Sequence, residues 1–63
     1  MREFQGTVIR MESMNMGYVD IPQLKRSAPF LPYAQQFTPQ IGENVTFNIG
    51  FNYRGWLAVE LSR

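Results

Sequence analysis

Apolar and polar residues alternate strictly through Val45-Thr46-Phe47-Asn48-Ile49. A period of two puts every second side chain on one face, so this segment predicts a half-buried antiparallel strand with Val45, Phe47 and Ile49 inward. Trp56 to Leu61 alternates again. On the same period Leu57, Val59 and Leu61 face a core, while Trp56, Ala58 and Glu60 face outward. Phe51-Asn52-Tyr53-Arg54-Gly55 between them is expected as a turn, with Asn52 and Gly55 suited to positive φ. Near the other end, Gly6-Thr7-Val8-Ile9-Arg10-Met11 is rich in β-branched residues and predicts a strand. Met16-Gly17-Tyr18-Val19-Asp20-Ile21 predicts a second, stopped by Pro22 because proline donates nothing to a ladder. Glu12-Ser13-Met14-Asn15 joins the two as a hairpin turn, with Asn15 suited to positive φ. If Val19 points inward, Tyr18 and Met16 point outward.

The middle of the chain holds all four prolines, Pro22, Pro29, Pro32 and Pro39, which excludes a long regular helix. A third, short strand is expected between Leu24 and Tyr33, and one helical turn at Ala34-Gln35-Gln36. Four or five short strands in 63 residues predict one all-β domain, residues 1–63, closed into a small barrel, since closure removes edges that template aggregation. An SH3-like barrel has the same strand count.

The chain has no cysteine, so no disulfide or thiolate–zinc site braces it. It also has no histidine, hence no ordinary general base near neutral pH and no Ser–His or Cys–His pair. The five carboxylates Glu3, Glu12, Asp20, Glu43 and Glu60 are scattered, without metal-ligand spacing. We therefore expect no enzyme, no cofactor and no metal. The net charge of +1 argues neither for nor against nucleic acid. No apolar run approaches the roughly 18 residues of a membrane span, so no membrane partner is expected, and a cytoplasmic location is the default. A domain this small without braces leaves a homodimer open.

Gly6-Thr7-Val8, followed eleven residues later by Gly17-Tyr18-Val19, resembles the opening of a cold-shock domain, G-T-V-K-W-F-N continuing to K-G-F-G-F-I. Gly42-Glu43-Asn44-Val45-Thr46-Phe47 is similar to the family's G-Q-x-V-x-F, and Arg54-Gly55-Trp56-Leu57-Ala58 to its R/K-G-P-x-A. The likeness covers both ends, about two-thirds of the chain. It implies a five-stranded antiparallel Greek-key barrel of the OB type that binds single-stranded RNA or DNA, as an RNA chaperone or small regulator. Tyr18 and Met16 would then stack on bases, Arg10, Lys25 and Arg26 would meet phosphates, and Phe30, Tyr33 and Arg54 would complete the surface. The chain departs from the pattern at several of these places. Met16 stands for a phenylalanine, and Arg10 and Met11 stand where the family has Trp and Phe. Met14 replaces the lysine of the first motif, or that lysine is lost with a loop one residue shorter. The second motif, V-F-V-H, has no counterpart. This erosion supports an alternative, a barrel that has lost nucleic-acid binding and docks a protein partner or a second copy through Phe51, Tyr53 and Trp56, aromatics of the kind that anchor interfaces.

Overall fold

A computed structural model describes residues 3–63. Its strands are β1 (Phe4–Ser13), β2 (Met16–Ile21), β3 (Arg26–Phe30), β4 (Asn44–Asn52) and β5 (Gly55–Ser62), with single 3-10 turns at Pro22–Leu24 and Pro32–Ala34. The order β1-β2-β3-β5-β4 closes on itself, because β4 also pairs with β1. Neighbours are antiparallel except at one seam, where β3 and β5 run parallel and meet at Phe30 and Ala58. The molecule is an all-β, closed five-stranded barrel of the OB type. Among the described residues no helix is long and apolar enough to cross a membrane.

The first hairpin follows its sequence pattern. Gly17, Val19 and Ile21 are buried, and Met16 and Tyr18 lie on the outer face, half-buried. The turn is Met14-Asn15. Asn15 keeps a negative φ, and its N–H donates to Ser13 Oγ at 3.0 Å. β1 carries a bulge between Val8 and Arg10. Val8 is fully buried and Met11 packs against the core, while Ile9 is left exposed. Two glycines permit close approaches. A Cβ on Gly6 would clash with the Asp20 carbonyl oxygen, and one on Gly17 would stand 2.6 Å from Phe30 Cζ.

The third strand lies within the expected window and contains Pro29. β3 pairs along its length with β2 but touches β5 at a single position, and a residue without an N–H is tolerated beside so sparse a ladder. The helical turn falls at Pro32–Ala34, two residues before the predicted place, because proline favours the first position of a turn.

The predicted facing of β5 holds for Leu57, Leu61 and Glu60 and is overturned for Trp56, Ala58 and Val59. Ala58 is fully buried and Trp56 packs against the core, whereas Val59 is only half-buried, opposite Asn48 on the outer side of the sheet. Leu57 is buried but stands apart from the central cluster. The cause is a register shift between Thr46 and Asn48 on β4, opposite Glu60, whose φ is 55°. That extra residue reverses the alternation, so Leu61 returns to the interior after Ala58. The Leu61 N–H donates to Gln35 Oε1 at 2.9 Å, while Gln35 Nε2 donates to the Leu31 carbonyl at 3.0 Å. One side-chain amide thus ties the bulge to the exit of β3.

Phe30 and Phe47 are the largest buried side chains. They share the interior with Val8, Val19, Ile21, Ala28, Val45, Ala58 and Leu61, and Phe4 stacks on Phe47 with ring centroids 6.3 Å apart. The long β3–β4 connection is held at its far end. Gly42 N–H donates to the Val8 carbonyl and Val8 N–H to the Glu43 carbonyl. The Glu43 carboxylate accepts from Gln40 N–H at 3.0 Å and from Arg63 Nε at 2.6 Å. These two hydrogen bonds, the backbone one foremost, hold the Glu43 carboxyl below the usual glutamate range.

Gly17→Ala forces a methyl group into the Phe30 ring. We expect it to destabilise the fold by about 1–3 kcal/mol, measured by urea unfolding. An unchanged midpoint would show that the ring does not pack there.

Candidate nucleic-acid interface

The outer surface of β2 is built by alternation. Cross-strand pairing sets Arg10 of β1 and Pro29 of β3 on either side of Tyr18, so the ring lies in a belt of outward residues. The Arg10 guanidinium is 5.8 Å from the Tyr18 ring centroid and forms a 2.8 Å ion pair with Glu12. Arg10 is therefore partly neutralised from its own strand.

Beside this belt lies a groove of about 430 Å³ that runs from the β1–β2 turn to the β4–β5 turn. Asn15 and Met16 line one end and Asn52, Tyr53 and Arg54 the other, with Pro29, Leu31 and Leu57 between them and Tyr33 and Trp56 also contributing. Tyr33 is held there because its N–H donates to the Met14 carbonyl at 2.9 Å, pinning the segment after β3 to the first turn. The second turn is a two-residue link, Tyr53-Arg54, closed by Gly55 at φ 124°. Asn52 does not take positive φ. Its Oδ1 accepts the Arg54 N–H at 2.9 Å instead, the local bond that makes asparagine a turn residue.

The groove lining contains one guanidinium, Arg54, and no carboxylate. Lys25, Arg26 and Arg54 enter no salt bridge among the described residues. Groups of histidine, cysteine and carboxylates that could hold a metal ion are also absent among the described residues.

Of the residues nominated by the sequence for nucleic-acid contact, Met16, Tyr33 and Arg54 come together in the groove, with Tyr18 and Arg10 on the same outer surface. Lys25 is exposed but does not line the groove; at φ 54° it closes the 3-10 turn before β3. Arg26 lies across Trp56, its guanidinium carbon 4.1 Å from the ring centroid. Phe30 is a correction. It has no exposed surface, because its ring fills the space that Gly17 leaves empty, and it cannot meet a base.

The three residues proposed for a protein interface divide as well. Phe51 and Tyr53 are 81% and 91% exposed, whereas Trp56 is half-buried against the core. Tyr53 and Trp56 both line the groove. Asn15, Pro29, Leu31, Asn52 and Leu57 also line it and were not nominated, Leu57 because alternation assigned it to the core and Pro29 because a proline is not an obvious strand residue. No family model matches this chain, and a search of curated proteins finds no relative.

Trp56 serves the fold as well as the surface, so its removal is not a clean test of binding. Trp56→Ala should cost about 2 kcal/mol, roughly half of what a fully buried ring loses. Tyr53→Ala should stay within about 0.5 kcal/mol. Paired thermal melts check both, and equal losses would contradict the burial difference.

Proposed function

We propose that this chain binds single-stranded nucleic acid without catalysis, in the manner of a cold-shock domain, as an RNA chaperone or small regulator. The observation that carries the reading is the groove spanning the β1–β2 and β4–β5 turns beside the β2–β3 surface. OB barrels hold oligonucleotides with that surface and those loops. Fold alone does not decide function, so the chemistry of the groove matters. Tyr18 and Tyr33 offer ring faces for stacking, a contact worth about 1–3 kcal/mol per base and tolerant of base identity. Met16, on the outer face of β2 with Tyr18 and lining the groove with Tyr33, offers a polarizable apolar contact. Arg54, free of carboxylates, supplies charge for the backbone, with Arg10 beside Tyr18 contributing less because Glu12 competes for it.

A protein-interaction or inhibitory barrel, dimeric or bound to a partner, is the second reading. The wide exposure of Phe51 and Tyr53 favours it.

Fluorescence anisotropy with a labelled oligopyrimidine separates the two. Wild-type protein should bind at low salt, with log affinity falling against log salt at a slope of about −2, as for roughly three phosphates contacted on a single strand. Tyr18→Ser should weaken binding by about tenfold, within the range of one lost stacking contact. A folded protein with no affinity at low salt would reject the nucleic-acid reading. A concentration-dependent dimer in sedimentation, without oligonucleotide binding, would favour the second.

A further inference from the structure

We propose that the β4–β5 hairpin is a second stacking station for an unpaired strand, with Tyr53, Trp56 and Phe51 receiving bases and Arg54 and Arg26 receiving phosphates. The inference rests on the nucleic-acid reading above and extends it to rings that the sequence had set aside for a protein partner.

Three observations converge on the hairpin. Phe51 and Trp56 are paired across the two strands, so they share a face, and Phe51 and Tyr53 are the two most exposed large apolar side chains described. Each neighbouring ring carries a guanidinium. Arg54 lies 5.5 Å from the Tyr53 centroid and Arg26 lies 4.1 Å from that of Trp56. Neither arginine enters a salt bridge among the described residues, so both charges remain available to an incoming anion. An apolar protein surface would leave these cations without a counter-charge. A polymer that alternates π-faces with phosphates satisfies rings and cations together.

The station is continuous with the groove, because Tyr53, Arg54 and Trp56 line its end. Arg26 on Trp56 occupies a position where a base would stack. A guanidinium on a partly exposed ring is held less strongly than a stacked base, so an arriving strand exchanges places with it and Arg26 turns to the phosphate. A strand that reaches the hairpin is therefore longer than one that rests on Tyr18, Met16 and Tyr33 alone.

Length dependence tests this. Labelled oligothymidylates of about four and about ten nucleotides, spanning part of the range of single OB barrels, are titrated into wild type, Tyr18→Ser and Phe51→Ser. Phe51 is exposed and lies outside the groove lining, so Phe51→Ser should melt at the wild-type temperature. It should bind the longer strand about tenfold more weakly or worse and the shorter one unchanged, whereas Tyr18→Ser weakens both. Arg26→Gln gives a second arm that leaves the turn intact, with the same selective loss and without the change in Trp56 emission that binding produces in wild type. Unchanged affinity of both hairpin variants for the longer strand overturns the station while leaving the β2 surface standing. A hairpin variant that turns a dimer into a monomer with oligonucleotide binding intact overturns it in favour of a second copy of the chain. Failure of wild type to bind either strand rejects the underlying reading instead.

Discussion

The Phe30 ring occupies the space in which residue 17 would carry a side chain, and most of the architecture follows from that contact. A Cβ at position 17 would approach Phe30 Cζ to 2.6 Å and Met11 Sδ to 3.0 Å, so the interior accepts only glycine there without repacking. With Gly17 fixed inward, the period of two sends Met16 and Tyr18 out. Phe30 is also the position at which β3 meets β5, opposite the small side chain of Ala58. One buried ring thus joins the first hairpin to the second and decides which face of β2 meets solvent.

How far this was legible in the sequence depended on whether alternation ran unbroken. β2 alternates cleanly and ends at a proline, so its limits and its faces could be read directly. The first half of β4 behaves the same way. β5 also looks unbroken, yet its inner face differs from the reading because Glu60 takes a left-handed conformation that favours glycine or asparagine. Nothing in a glutamate announces a bulge. The Gln35 amide that satisfies the displaced Leu61 N–H lies 26 residues away in sequence, beyond the reach of local pattern. Trp56, Ala58 and Val59 take faces opposite to the expected ones for this one reason. Phe30 was misread differently. An aromatic between prolines resembles a surface residue until its strand partner, Gly17, is known.

The candidate surface was only partly visible for a related reason. Tyr18 and Met16 follow from strand alternation, but the groove is assembled from two turns and the segment after β3, brought together by closure of the barrel and by the Tyr33 to Met14 hydrogen bond. Relative to the pattern that the sequence resembles, rings are fewer on the early strands, and Trp56 stands on the β4–β5 hairpin where that pattern has a proline. Cations are likewise unevenly committed. Arg10 and Arg63 are engaged by carboxylates, whereas Lys25, Arg26 and Arg54 are in no salt bridge among the described residues. A net charge of +1 conceals this asymmetry. Association through such a surface would owe more to stacking than to bulk charge and would weaken moderately with salt.

The most direct test of the account is to follow backbone amide shifts by NMR as an oligopyrimidine of about ten nucleotides is added to labelled protein. The account predicts that perturbations gather on Met16, Tyr18, Tyr33 and the Tyr53-Arg54 turn, while the opposite β1–β4 wall at Gln5, Asn44 and Thr46 stays silent. Shifts concentrated on that wall, or none on β2, would contradict it.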